Sequence, residues 1–427
     1  MTGWPALAPF RTRSFRYQWP ADLGTAWALE MELLILGWYV LVESGSVAWL
    51  TLFGALMYVG TLLSPLMGTL GDRIGLRRVL AAMRLCYALL AGVILWLAAT
   101  GRLQPSLVLG VAFLAGLLKP TDIGMRTALV SASVPPAQLV AAMGISRTTQ
   151  DSARVGGALA GAGFMASLGM VSAYVVITTL YLLGAALTLK SAAARGALGT
   201  GDGSATTATP APPPAAAGLS SPWRDLKEGL QHVWFTPLLR AAMMLAALVN
   251  LCAFPLSGGL MPYIARDVFR LDQQGLGWLV ASYAGGALMG SLTLSALGSR
   301  LRPARTMLLT CVLWHLCLLG LTLPVGVPVA MGLYMAAGLN QSLSMISLSV
   351  ILLRTSEARF RGRVMGARML AIYTLPVGLL VAGALIPWIG FRALVGVYVG
   401  TGLLMTGAIA WVWRRELLPR RAPANVR

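Results

Sequence analysis

Charged side chains are scarce in this sequence. Only 11% of its 427 residues are charged, whereas 57% are hydrophobic. Soluble globular domains carry about 25% charged residues, so this composition excludes an ordinary soluble protein. It fits a membrane protein instead, in which apolar runs of about 20 residues cross the bilayer.

Residues that bind metals or perform acid–base catalysis are also few. The sequence has two histidines, and its four cysteines stand singly within apolar runs. Isolated cysteines of this kind behave as small core residues, so we expect neither a metal site nor a bound cofactor. The sequence has no nucleophile–base cluster typical of an enzyme and no GxxxxGK[ST] motif for ATP.

Acidic residues are outnumbered, because 14 aspartates and glutamates face 33 lysines and arginines, a net charge of +19. The basic residues do not form one patch for nucleic acid but recur between apolar runs, in every second connection. They are Arg11, Arg13 and Arg16; Arg73, Arg77 and Arg78; Arg300, Arg302 and Arg305; Arg354, Arg359, Arg361 and Arg363; and Arg414, Arg415, Arg420 and Arg421. Since positively charged loops stay in the cytoplasm, we predict that both termini are cytoplasmic.

Apolar runs between turn and charge signals predict twelve membrane spans, which we number 1 to 12 along the chain. Their approximate limits are 20–42, 47–70, 79–100, 105–130, 139–164, 169–189, 238–262, 276–298, 304–323, 327–353, 364–388 and 391–413. The predicted fold class is therefore an all-α integral membrane protein.

Residues 191–222 interrupt this pattern with a run that has no aromatic residue and is rich in Ala, Gly, Pro, Ser and Thr. Such a segment lacks the apolar surface for a core, so we predict a flexible cytoplasmic linker. It separates an N-terminal six-helix bundle, residues 1–190, from a C-terminal part, residues 223–427. The second part begins with an amphipathic helix, residues 224–235, which we expect to lie at the membrane surface.

The two halves repeat each other at an offset of 222 residues. Met143-Gly144 matches Met365-Gly366, and Val155-Gly156 matches Val377-Gly378, which places span 5 on span 11. Gly68 and Arg78 match Gly290 and Arg300 at the same offset. Two repeated six-helix halves with a site between them at the midplane are typical of transporters.

The segment GTLGDRIGLRR, residues 68–78, resembles the signature that joins spans 2 and 3 in the major facilitator superfamily. The shared residues are Gly68, Asp72, Arg73, Gly75, Arg77 and Arg78. A second copy, GSLTLSALGSR, keeps Gly290 and Arg300 but has Leu294 in place of the aspartate.

Three further segments resemble parts of this superfamily. RVGGALAGAG, residues 154–163, resembles the Gly-rich fifth-helix motif of its antiporters, with Gly156-Gly157 in place of the usual Gly-Pro pair. DLKEGLQHVWFTPLLR before span 7 and RFRGRVMGAR before span 11 resemble the branch that contains the enterobactin exporter and macrolide efflux proteins.

The resemblance implies two pseudo-symmetric six-helix bundles that rock about a central site. It also implies that residues 68–78 form a gate, in which Asp72 braces the N-terminal end of span 11 and the arginines pair near the inner ends of neighbouring helices. An alternative interpretation is that these arginines only determine topology.

Charged residues at membrane depth are costly and indicate function, and they concentrate in spans 1, 4 and 5. The proton-coupling candidates are Glu32, Glu30, Asp151 and Asp122, since a carboxyl group without a cationic partner at low dielectric exchanges protons near neutral pH. The candidates for the substrate cavity are Tyr39, Lys119, Arg126, Arg147, Gln150, Arg154, Asn250, Asn340, Gln341 and Tyr373. Arg147, Asp151 and Arg154 share one helix face, so a structural ladder is the alternative interpretation for these three.

The two glutamates of span 1 point in different directions. At 100° per residue, Glu30 and Glu32 are about 200° apart. Glu32 shares a polar stripe with Thr25 and Tyr39, so we expect it to face the cavity. We expect Glu30 to pack against a neighbouring helix and to meet a base of span 4 or 5.

Together these patterns predict a proton-coupled exporter of a small organic molecule, either a siderophore-like metabolite or an amphipathic drug. Its partners would be substrate, protons and lipid, it would act as a monomer, and it would lie in the bacterial inner membrane. Uptake or lipid flipping on the same fold is the first alternative, and a receptor that transports nothing is the second.

Overall fold

The computed structural model describes residues 5–62, 75–135, 138–191, 222–297, 302–357 and 360–417. Within these ranges the chain is helical and contains no strand. Seven of the described helical stretches are long and apolar enough to cross a membrane, and two of them, Ala141–Lys190 and Arg363–Val412, are 50 residues long and contain two spans each. The predicted all-α membrane fold is confirmed.

Each predicted span corresponds to a helix, and we keep the span numbers for these helices. In the first half, span 1 is Arg13–Ser44, span 2 begins as Val47–Leu56, span 3 is Leu76–Ala99, span 4 is Pro105–Ser133, and spans 5 and 6 form Leu139–Lys190. In the second half, span 7 is Pro237–Cys252, span 8 is Gln273–Leu297, span 9 is Pro303–Gly320 and span 10 is Val327–Thr355. Arg361–Ile372 and Thr374–Val412 contain spans 11 and 12.

Two glycines reverse the chain where the sequence predicts only a short connection. Gly169 has φ 76° and ψ 178°, and Gly390 has φ 76° and ψ 167°, so each breaks a nominally continuous helix. Glycine alone adopts such a backbone without strain. The turns between spans 5 and 6 and between spans 11 and 12 are thus made by a single residue each.

Span 7 departs from a regular helix. Beyond Cys252 it continues through two π-helical segments, Pro255–Gly259 and Ile264–Val268. Segments of this kind are rare and frequently mark functional sites. They lie where span 7 approaches span 1 of the other half.

A shorter helix, Pro222–Phe235, precedes span 7 and contacts the start of span 11, where Glu228 binds Arg363 at 2.8 Å. Its Trp234 and Phe235 side chains are exposed. Of the predicted linker, residues 192–221 lie outside the described residues.

Close helix contacts join the halves at one end of the molecule. We call the end at which span 1 begins the terminal side and the opposite end the far side. On the far side, a Cβ atom built at Gly383 of span 11 would lie 1.9 Å from the Thr51 hydroxyl of span 2, so the two backbones are in close contact. Ala162 of span 5 meets Gly277 of span 8 in the same way. The described contacts therefore close the far side.

Candidate functional site

The Gly-rich run of span 5 presses that helix against span 1. A Cβ atom built at Gly156 would lie 2.7 Å from the Trp27 ring, and one at Gly157 would lie 2.9 Å from the Glu30 Cβ atom. Only glycine permits so close an approach of two helices. The run thus brings Glu30 level with Arg154.

Two ion pairs on spans 1 and 5 border the gap between the halves. The Arg154 Nε atom lies 3.6 Å from Glu30, and the Arg147 Nε atom donates to Asp151 at 3.2 Å. The Arg147 and Arg154 side chains are 53% and 46% exposed, whereas Asp151 is buried. Both arginines are thus accessible to solvent, and each has a carboxylate beside it.

Glu32 points the other way, into the first bundle. It is 5% exposed and accepts a hydrogen bond of 2.8 Å from the Tyr181 hydroxyl of span 6. Beside it is a cavity of about 10 Å³, which Tyr87 and Lys119 also line. Lys119 itself lies 5.7 Å from the centre of the Tyr58 ring. The expectation that Glu32 faces the central gap is therefore not met, because the 200° between the glutamates turns Glu30 toward span 5 and Glu32 toward span 6.

One buried ion pair lies outside the set of residues predicted from the sequence. Arg84 of span 3 is fully buried and binds the Asp22 carboxylate of span 1. Arg84 also donates to the Thr188 hydroxyl and, at 3.4 Å, to the Gly184 carbonyl oxygen of span 6. A signal existed in the sequence, because Arg84 stands alone inside the apolar run of span 3.

Asp122 and Arg126 of span 4 are 1% and 5% exposed. Gln18 of span 1 donates to the Arg126 carbonyl oxygen at 3.4 Å, which fixes spans 1 and 4 side by side. Among the described residues, neither carboxylate oxygen of Asp122 has a hydrogen-bond partner. Such a buried polar group is unusual in a protein and calls for a functional explanation.

The other candidates for the substrate cavity fall into two groups. Tyr39 and Tyr373 donate to backbone carbonyl oxygens, Tyr39 to Leu103 at 2.9 Å and Tyr373 to Val59 of the other half. Asn250, Asn340 and Gln341 are buried, and both asparagines donate to the carbonyl oxygen one turn earlier in their own helix. Gln150 is partly buried on span 5.

The gate signature is described only in part. Gly68, Asp72, Arg73 and Arg300 lie outside the described residues. Gly75 precedes span 3 with φ 97°, Arg78 is exposed, and Arg77 donates at 3.0 Å to the Ser191 carbonyl oxygen after span 6. Gly290 is buried where span 8 crosses span 10.

On the far side, one side chain joins the two halves directly. Arg266 of span 7 donates to the Leu41 carbonyl oxygen of span 1 at 2.6 Å. Leu41 lies in the last turn of span 1, where the helix dipole is negative. A Cβ atom built at Gly37 would lie 3.5 Å from the Pro262 ring, so spans 1 and 7 also pack closely beside this bond.

In the part of the chain that the structure describes, no group of three or more His, Cys, Asp or Glu side chains could hold a metal ion. The charged groups of the first half are instead distributed between the exposed arginines of span 5 with their carboxylates and the interior of the first bundle. This arrangement defines the class: a multi-pass helical membrane protein built from two bundles, with acids and bases at membrane depth.

Comparisons with known proteins show which family the chain resembles. Residues 243–427 match the Major Facilitator Superfamily. The crystal structure of the nucleoside transporter NupG superposes with a TM-score of 0.70 at 14% identity, over 96% of this chain and all of that one. A bacterial homologue of the iron transporter ferroportin, in an inward-facing state, gives 0.67 at 16% identity over 94% and 98%. The second half of the chain thus matches the Major Facilitator Superfamily in sequence, and the whole chain shares the fold of these solved transporter structures.

A curated relative is an efflux pump. The multidrug efflux pump Tap of Mycobacterium bovis is 32% identical over 174 residues, which are 39% of this chain and 40% of that pump. The match therefore spans less than half the length of either protein. It agrees with the resemblance of the sequence to efflux proteins.

Proposed function

We propose that this protein exports a small organic molecule by alternating access and that an inward flow of protons drives the export. The partial match to a multidrug efflux pump supports export and favours an amphipathic drug or a siderophore-like metabolite as substrate. The substrate enters the gap between the halves, where Arg147 and Arg154 are exposed to solvent.

The observation that carries the proton coupling is the environment of Glu32. This carboxyl group is 5% exposed, and its described hydrogen bond comes from a neutral phenol, Tyr181. Glu30 and Asp151 each lie beside an arginine instead. Lys119 lines the same small cavity but makes no described ion pair with Glu32, and a buried carboxyl group that is not ion-paired binds protons more readily than a paired one. Glu32 is therefore the best coupling acid of the first half.

The test is Glu32→Gln in proteoliposomes, with ethidium as the transported probe. The amide keeps the size and a hydrogen bond to Tyr181 but has no titratable proton. We expect a pH gradient to drive ethidium movement in the wild type and not in the variant, whereas ethidium counterflow, which moves no net protons, continues in both.

Glu30→Gln is the matched control, because it makes the same change two residues away. Its partly exposed pair with Arg154 contributes less than about 1 kcal/mol to stability, so gradient-driven movement should remain close to that of the wild type. Uncoupling by Glu30→Gln with normal coupling in Glu32→Gln would reverse the assignment. A wild type that ignores the pH gradient would refute proton coupling.

A further inference from the structure

A column of buried polar side chains lies inside the first bundle, away from the gap. It begins at mid-depth with Glu32 and Tyr181 and ends nearer the terminal side with the ion pair of Asp22 and Arg84. Glu32 and Asp22 are ten positions apart on one helix, which corresponds to about 15 Å. Spans 1, 3, 4 and 6 enclose this column.

Tyr87 of span 3 occupies the next position of the column after Glu32, toward the terminal side. Its ring centre lies 5.5 Å from that of Tyr181, the hydrogen-bond partner of Glu32. Tyr87 is 1% exposed, and its hydroxyl has no hydrogen-bond partner among the described residues. It also lines the cavity of about 10 Å³ beside Glu32, which is close to the smallest volume that holds one water molecule.

Asp122 of span 4 lies at the same level as Tyr87. Met83 and Met125 pack in one cluster of spans 3 and 4, which run antiparallel. Tyr87 follows Met83 by one helical turn, and Asp122 precedes Met125 by almost one turn, so both lie one turn closer to the far side on facing surfaces. Two buried polar groups without partners thus share one level of the bundle.

The charges around Asp122 come from three helices. Span 4 contributes Arg126, which lies one turn closer to the terminal side than Asp122. Span 3 contributes Arg84, and span 1 contributes Asp22. Asp22 and Arg84 neutralise each other, which leaves Asp122 and Arg126 as a second acid and base without a described contact between them.

Two more bases lie at the ends of this region. Lys119 lines the cavity beside Glu32, at the end of the column closer to the far side, and Lys190 is exposed at the terminal-side end of span 6. The positive and negative charges of the column thus nearly cancel. Because the net charge of the column is small, one additional proton changes it substantially.

We infer that protons leave Glu32 toward the terminal side through the interior of the first bundle, by way of Tyr87 and Asp122, and that the substrate uses the separate gap between the halves. This inference rests on the proposed proton coupling at Glu32. In the transfer, the Glu32 carboxyl gives its proton to the Tyr87 oxygen, directly or through a water molecule in the cavity, while the Tyr87 hydroxyl gives its own proton to the Asp122 carboxylate. Tyr87 is neutral before and after, and the negative charge moves from Asp122 to Glu32.

The separation of the two routes follows from the packing. Span 1 lies between them, with Glu30 against the solvated Arg154 and Glu32 against the buried Tyr181. In the gap, Glu30 and Asp151 each lie beside an arginine, whereas the Tyr87 hydroxyl and the Asp122 carboxylate of the column have no described hydrogen-bond partner.

Tyr87→Phe tests the inference, because it removes one hydroxyl that has no described partner and leaves the ring in place. Loss of an unsatisfied buried hydroxyl does not destabilise a fold. Tyr174→Phe is the matched control: Tyr174 is also fully buried with an unpartnered hydroxyl in the described structure, but lies on the far-side part of span 6. Wild type and both variants are reconstituted into phosphatidylethanolamine–phosphatidylglycerol vesicles, and ethidium movement is measured with a pH gradient and in counterflow.

We expect Tyr87→Phe to slow gradient-driven movement about tenfold or more, with counterflow unchanged, and Tyr174→Phe to match the wild type in both assays. Asp122→Asn should reproduce the defect of Tyr87→Phe. Normal gradient-driven movement in Tyr87→Phe, an equal loss of counterflow, or the same defect in Tyr174→Phe would each overturn the path. If a pH gradient drives ethidium movement equally well in the wild type and in Tyr87→Phe, the proposed path is wrong but the proposed proton coupling stands. If the gradient drives no movement in the wild type, both the proposed coupling and the path are wrong.

Discussion

The bond from Arg266 to the Leu41 carbonyl oxygen makes a direct prediction about the conformational equilibrium. It joins span 7 to span 1 across the two halves on the closed far side, so it must break when that side opens. Arg266→Gln shortens the side chain and removes its charge. We therefore expect a larger population of molecules with an open far side.

The size of the effect follows from the local geometry. Hydrogen bonds from a charged donor contribute about 1.5–3 kcal/mol. The Arg266 side chain is 30% exposed and also lies 3.3 Å from Asp267, so water and this neighbour compensate part of the loss, and the lower end of the range applies. About 1.5 kcal/mol corresponds to a shift of about tenfold in the ratio of closed to open molecules.

The assay is a distance measurement between spin labels at Thr100 and Leu323, two exposed far-side positions in different halves, after replacement of the native cysteines. We expect a longer distance to gain population in Arg266→Gln. Arg270→Gln is the control, because Arg270 is exposed on the same connection and makes no described bond to the first half. Identical distance distributions for Arg266→Gln and the wild type would refute the role of the Arg266–Leu41 bond in keeping the far side closed.

Two predictions concern the packing of the first bundle. Gly161→Leu should prevent spans 1 and 5 from packing, because a Cβ atom at this position would already lie 3.0 Å from the backbone of span 1. Gly163→Leu is the control, because a Cβ atom at Gly163 meets no other atom within 4 Å. The size-exclusion profiles of the two variants should therefore differ sharply. Arg84→Leu leaves the Asp22 carboxylate buried without its partner and should lower the free energy of unfolding by about 3–5 kcal/mol in a denaturant titration. Adding Asp22→Asn should restore most of this loss, and a double variant as unstable as Arg84→Leu would contradict the pairing.

Much of the fold could be predicted because a membrane imposes a simple rule on the sequence. Apolar runs of about 20 residues must be helices in a bilayer, and each predicted span is helical where the structure describes it. The helix ends were less predictable. Span 1 begins at Arg13, seven residues before its predicted start, because Phe15 and Gln18 are buried against the first bundle although the segment is not continuously apolar.

The candidate site was predictable only in relative terms. Helical periodicity gives the angle between Glu30 and Glu32, and the expectation that Glu30 meets a base of span 4 or 5 agrees with its contact to Arg154. Periodicity cannot give the absolute direction of either side chain, because that depends on how span 1 is rotated within the bundle. The pair of Asp22 and Arg84 was hidden for the same reason: the partners are 62 positions apart and meet only through helix packing.

Span 1 connects the features that the structure brings together. Its far end accepts the bond from Arg266, one face carries Glu30 to the solvated gap, and the opposite face carries Glu32 to the buried column. A long helix moves nearly as a rigid body, so a displacement that opens the far side acts on both faces at once. A change of protonation at Glu32 alters the charge buried on this same helix, which must be balanced by a change in its packing. In the proposed mechanism, the two glutamates two residues apart thus place the substrate gap and the proton site on opposite sides of a single moving element.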